Sequence, residues 1–221
     1  MTETHMPDDA SKSLHIWGED DFIGGAVALD FVNSAPLRRK AEQAEDRLDG
    51  YMELMRWSVA AGSLFDREVD ALRDMAQDNA EEVGQIMEQA RLLRKGIKAI
   101  ISACAQGHAP DPDSIAVVNV WHMEAQAAQT LVWGDKGPKW CWKEGASLAR
   151  PLWPVAQSVM DLIFQADHDR LRTCGNDRCH WLFLDSSKAG RRRWCSMHSC
   201  GNRAKAARYH RRCKSKQAEA G

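Results

Sequence analysis

Four cysteines set in two matched pairs limit this chain more than any other feature: Cys174 and Cys179 in CGNDRC, then Cys195 and Cys200 in CSMHSC, with fifteen residues between the pairs. Each short loop can aim two sulfurs at one point without straining the backbone, and zinc takes four thiolates tetrahedrally at about 2.3 Å. Gly175 and Asn176 in the first loop, and small residues in the second, favour tight turns. A closed four-thiolate site leaves no coordination position for a substrate. The pattern therefore predicts one structural zinc ion held by Cys174, Cys179, Cys195 and Cys200. Disulfides suit a reducing compartment poorly, and a redox pair is more typically Cys-x-x-Cys. An iron–sulfur cluster also uses four thiolates, but symmetric pairs bracketing a strand-like stretch favour zinc. His180 and His198 lie beside the ligands and are read as solvent-facing or bonded to backbone. Cys104 and Cys141 read as small buried apolar residues, and Cys213 as an incidental helix thiol.

Charge is segregated along the chain. The formal net charge of the 221 residues is −1, yet residues 170–216 carry 14 Lys or Arg against only Asp177 and Asp185, about +12, while the remainder sums to about −13. An acidic body bearing a basic module points to a polyanionic partner, with docking of the module on its own body as the plainer alternative. The N-terminal MTETHMPDDASKS has no basic stretch followed by an apolar run, and no segment approaches the length of a membrane span. The expectation is a cytoplasmic protein that makes no membrane contact.

Before the cysteines the periodicity is mostly helical. Residues 1–13 read as frayed, and HIWGEDDFIGG (15–25) as a short strand before a Gly-Gly break. AVALDFVNSA (26–35) fits a short buried helix around a lone Asp30, read as a backbone hydrogen-bond acceptor more than a functional acid. Helices follow over 47–62, from Asp66 as cap, over 79–107 and over 114–128, each with apolar residues at helical spacing. TLVW (130–133) and KWCWK (139–143) around a Gly-rich turn predict a β-hairpin, and helix resumes near Pro151 and Pro154. After the first cysteine pair, HWLFLD and RRRWC around SSKAG predict a second hairpin between the metal loops, and Cys200 opens a basic helix. The fold class is mainly α: a helical N-terminal domain with a small β-hairpin over 14–168, then a treble-clef-like four-cysteine zinc finger with a basic C-terminal helix over 169–216.

FLDSS at 183–187, RRWCSM at Arg192–Met197 and CGNR at Cys200–Arg203, with the cysteine pairs, resemble the CGNR-type zinc finger. ALDFVNS (28–34) and the helix after it resemble the start of the ABATE domain, which precedes this finger in bacterial proteins described as stress-induced transcription regulators. The resemblance implies that architecture and a regulatory role.

On a helix from Cys200, Ala204 and Ala207 share the ligand's side, and Lys205, Arg208 and Arg212 form a separate basic face. Lys188, Arg192, Arg193, Arg203 and Arg211 add further cations for phosphates, and Asn202 and Arg203 either reach bases or tie the finger's own loops. Trp181 and Trp194 pack over the metal core or stack on unpaired bases. The expected function is DNA binding in transcriptional regulation, with the helical domain sensing a ligand or forming a homodimer. RNA binding and an adaptor role toward an acidic protein are the alternatives. No phosphate loop, nucleophile elbow or zinc-protease motif is present, so an enzyme is not expected.

Overall fold

The structure, a computed structural model, describes residues 15–35, 46–143, 147–165 and 167–218, without the side chains at 165, 212 and 214–218. The N-terminal stretch read as frayed lies outside the described residues. The helical body comprises α1 (Val27–Asn33), α2 (Tyr51–Ala60), α3 (Asp66–Asp78), α4 (Ala80–Ala105), α5 (Pro112–Ala127), the antiparallel hairpin β1 (Gln129–Gly134) and β2 (Gly137–Trp142), and α6 (Trp153–Gln165). The finger adds β3 (Leu171–Thr173), β4 (Leu182–Leu184), a π-type turn over Met197–Gly201 and α7 (Asn202–Ala218). Among the described residues no helix is long and apolar enough to cross a membrane.

α1 is too short to persist alone in water. It forms because every residue from Ala28 to Asn33 is buried, packed between α4 and α6. Phe31 meets Trp57 of α2 with ring centroids 5.3 Å apart, and Leu93 and Ile97 of α4 are wholly inaccessible. Each large apolar side chain so buried contributes about 1.5–3 kcal/mol before entropy is counted.

Two local expectations change. Residues 15–25 form no strand: the Asp21 carboxylate accepts the Gly18 N–H at 3.1 Å and pairs with Arg47 at 2.7 Å, drawing Glu19–Asp21 into a 3₁₀ turn. Asp66 is the first helical residue of α3 rather than its cap; Glu68 instead reaches back to accept the Phe65 N–H at 2.9 Å, and also holds Arg150 at 2.7 Å.

The finger's strand pairing also differs from expectation. β4 pairs with β3, Leu171 opposite Leu184 and Thr173 opposite Leu182, so the first metal loop sits at the tip of this ladder. Residues 191–194 form no strand. Leu171 and Leu182 are inserted into the body's core, a place three consecutive arginines cannot take. The far edge of β4 is closed by the body: the Asn33 amide donates to the Leu182 carbonyl at 2.8 Å and accepts the Leu182 N–H at 3.0 Å, and the Leu184 N–H donates to the Gly24 carbonyl at 2.8 Å. Gly24 in turn donates its N–H to Asp30 Oδ1 at 2.7 Å. Arg47 crowns the junction, 5.2 Å from the Trp17 ring and 5.8 Å from that of Trp181, and donates to the Asn33 carbonyl at 2.6 Å. The body's core thus takes in two leucines of the finger, while the metal loops keep a second, smaller cluster around Trp181 and Phe183.

Asn33→Ala leaves both polar groups of Leu182 buried and unpaired, and is expected to cost about 2–3 kcal/mol, read by denaturant unfolding, with faster hydrogen exchange at Leu182. Burial pushes the Asp30 carboxyl up to about 7, against the opposing hydrogen bond from Gly24. An acid whose folded pKa exceeds its unfolded value destabilises progressively as pH rises from about 4 to 7. Asp30→Asn, which keeps the acceptor, should therefore stabilise the protein more at pH 7 than at pH 5, by on the order of 1 kcal/mol in thermal melts.

Candidate metal centre and arginine cleft

The four sulfurs of Cys174, Cys179, Cys195 and Cys200 are buried and lie within 4.8 Å of one another. Cys195 Sγ stands 3.7 Å from the sulfurs of both Cys179 and Cys200. A tetrahedron with 2.3 Å zinc–sulfur bonds has edges of about 3.8 Å, so the cluster fits one zinc ion. Hydrogen bonds from Cys179 and Cys195 pull the Cys174 thiol far down, and the bond each makes to Cys174 holds those two donors up. A dication at the centre displaces the remaining thiol protons, so loading the site releases protons. Neither His180 nor His198 enters the cluster; both are exposed. His180, directly after Cys179, takes a left-handed φ of 58° to turn the chain out of the metal loop.

The same Cys-Gly-Asn run follows the first ligand, Cys174-Gly175-Asn176, and the last, Cys200-Gly201-Asn202, and both glycines press on Trp194. A β-carbon on Gly175 would stand 3.1 Å from the Arg193 carbonyl, which accepts the Gly175 N–H, and 3.3 Å from the indole. One on Gly201 would stand 2.8 Å from the Met197 sulfur and 3.3 Å from the same ring. Trp194 is thereby wedged between the loops, with the Arg193 guanidinium 5.2 Å from its ring. Trp181 is also buried, beneath Arg47. Trp181 is thus packed away, whereas Trp194 is half-buried and keeps part of its ring on the cleft between the first metal loop and the C-terminal helix.

Asp185 closes the segment between the metal loops. Its carboxylate accepts the N–H groups of Ser187 at 3.0 Å and Arg192 at 2.7 Å, and hydrogen bonding from Ser187, then Arg192, holds its carboxyl down to about 2 against burial. Arg170 donates to the carbonyls of Asp185 and Ser187, and Arg172 to that of Gly190. These two basic residues are structural, and the sequence alone did not separate them from the rest.

The candidate nucleic-acid residues divide accordingly. Arg192 is half-buried, donates to the Cys195 carbonyl at 2.6 Å and lies 4.8 Å from the Phe183 ring. Asn202 donates to the His198 carbonyl at 3.0 Å, tying the π turn to α7. Lys188 and Lys205 are exposed, and the side chain of Arg212 lies outside the described residues. Arg193, Arg203, Arg208 and Arg211 meet in one cleft of about 770 Å³ between the first metal loop and α7. Arg178 of the metal loop joins them, a residue the sequence reading passed over because it stands inside a cysteine pair. Arg208 was expected on a face apart from Ala204 and Ala207; at 100° per residue it lies only about 40° from Ala204, and all three line the cleft. Among the described residues none of these five guanidiniums has an ion-pair partner, although Asp177 also lines the cleft.

Residues 25–165 match the ABATE family, described as "Putative stress-induced transcription regulator", and residues 170–213 match the CGNR zinc finger. No curated protein matches the chain. The chain belongs to the ABATE family and carries a CGNR zinc finger behind that domain.

Cys179→Ser should abolish stoichiometric zinc in metal analysis. Because Leu171 and Leu182 belong to the body's core, it should also lower the melting temperature of the whole chain rather than melt the finger alone. Gly175→Ala crowds the Arg193 carbonyl and Trp194, and is expected to weaken zinc retention about tenfold against a competing chelator.

Proposed function

We propose that this chain is a transcription regulator that binds duplex DNA through its finger, with the sugar–phosphate backbone of one strand held in the arginine cleft. The observation that carries the reading is the set of five guanidiniums, Arg178, Arg193, Arg203, Arg208 and Arg211, gathered in one cleft with no ion pair to one another's neighbours among the described residues. Such a cluster repels itself until phosphates occupy it, and phosphate neutralisation with release of counterions supplies most of the affinity of DNA-binding modules. Ala204, Ala207 and Gly175 line the same cleft and let a strand approach the protein backbone closely. The four-thiolate centre serves as scaffold. With every coordination position taken by cysteine, the metal has no place for a substrate, and no catalytic step is assigned to the chain.

RNA recognition by stacking finds less support, since Trp181 is buried and Trp194, though it lines the cleft, is half-buried with Gly175 and Gly201 against its ring. Docking on the chain's own acidic body does not account for the cleft either. The finger meets the body through Leu171, Leu182, Asn33, Gly24 and the contact of Arg47 with Trp181, and none of the five cleft arginines takes part. In this reading the body is the part through which a signal reaches the finger.

Selection from random duplex DNA by zinc-loaded protein should enrich a motif. Arg203→Ala with Arg208→Ala should lower affinity for that duplex at least tenfold and reduce the salt slope by about 2, with zinc content unchanged. Retention of neither random DNA nor random RNA would sink the nucleic-acid reading. Retention of single-stranded RNA alone would replace DNA as the ligand.

A further inference from the structure

We infer that the β1–β2 hairpin and the outer face of α5 form the surface on which a second copy of this chain pairs about a two-fold axis. This stands apart from the DNA reading, since no residue of the finger takes part. The hairpin register sets Leu131 opposite Trp140 and Trp133 opposite Pro138, on the same strand face as Trp142 at the hairpin base. Trp142 packs on Trp153 of α6, ring centroids 5.8 Å apart, and there the cover ends. Farther out Trp140 is 65% exposed and Trp133 78%, with Leu131 bare between them. The base is anchored to the end of α5, where the Lys143 N–H donates to the Ala128 carbonyl at 2.7 Å.

α5, which leads into the hairpin, bears exposed apolar residues of its own. Its inner side buries Val118, Trp121 and Ala125, yet its outer side carries Val120 and Met123, both exposed. A helix apolar on both sides is one that is covered on both sides in the working protein. The hairpin makes the same demand. Two strands alone are marginal in water, and both outer edges of this ladder are unpaired by any other strand among the described residues.

A second copy is the occupant that fits. Leu131, Trp133, Trp140, Val120 and Met123 expose on the order of 700 Å² per copy, close to the roughly 800 Å² each partner gives to a standard stable interface. Aromatic residues and methionine are the enriched types at such interface cores, and charged residues the depleted ones. None of these five is charged, so the face can meet its own image without like-charge repulsion, which a face carrying an uncompensated charge cannot do. Isologous pairing puts the same patch on both copies and closes the assembly at two.

The test is the mass of the full-length, zinc-loaded protein by sedimentation and light scattering from 1 to 100 µM. The expected result is a species of twice 24.8 kDa, with Trp133→Glu combined with Trp140→Glu returning it to a single chain while zinc content and helicity stay unchanged. Val120→Lys, on the exposed side of an intact helix, provides the same reading if the hairpin variant misfolds, and should weaken pairing at least tenfold. A single-chain mass at 100 µM overturns the proposal. So does undiminished pairing in both variants, or growth beyond two copies, which would mean a head-to-tail contact.

Discussion

The convergence of four buried sulfurs within 4.8 Å organises the finger. Its two strands have three residues each, and its own apolar cluster is little more than the four cysteines with Trp181 and Phe183. Such a cluster cannot offset the entropy of ordering the chain around it, whereas a four-thiolate zinc site contributes on the order of 10 kcal/mol. The neighbouring residues serve that convergence. Trp194 is wedged by Gly175 and Gly201, Asp185 ties the connecting segment by two backbone bonds, and Asn202 joins the π turn to α7.

The same centre sets where the arginines stand. α7 leaves the second metal loop directly, and Arg178 and Arg193 belong to backbone fixed by the first loop. The backbone of the two walls is therefore held at a distance set by the four-cysteine centre, which keeps the bases of the five arginines close together. The body adds orientation. β4 is closed on one side by β3 and on the other by the side-chain amide of Asn33 and the carbonyl of Gly24, so a strand three residues long has no free edge to slip along.

Much of this was legible in the sequence where the signal was local. Cysteine spacing gave the ligands, and 3.6-residue periodicity gave α2, α4 and α5, the first two with terminal glycines; Gly62 and Gly107 do take left-handed φ values of 67° and 70°. The hairpin around Asp135 and Lys136 followed from aromatic and β-branched runs about a Gly-rich turn. What failed was decided by distant partners. Asp21 turns the 15–25 segment because Arg47 lies beside it, and β4 chooses β3 over 191–194 because the body's core accepts leucines and not arginines. The split of the basic residues into a structural set, Arg170, Arg172 and Arg192, and a cleft set, Arg178, Arg193, Arg203, Arg208 and Arg211, depends on which backbone carbonyls come within reach, and no spacing encodes that.

The bonds between Asn33 and Leu182 span 149 residues, and this has a consequence for synthesis. α1 leaves the ribosome ahead of the other described α-helices, but the backbone its asparagine must satisfy follows about 10–30 s later at ordinary elongation rates. Until then a helix of seven residues, six of them destined for burial, has part of its cover missing. The nascent body is thus held incomplete until its last fifth is made, and a chain truncated before the finger presents to chaperones and proteases an apolar surface that the finished protein never shows.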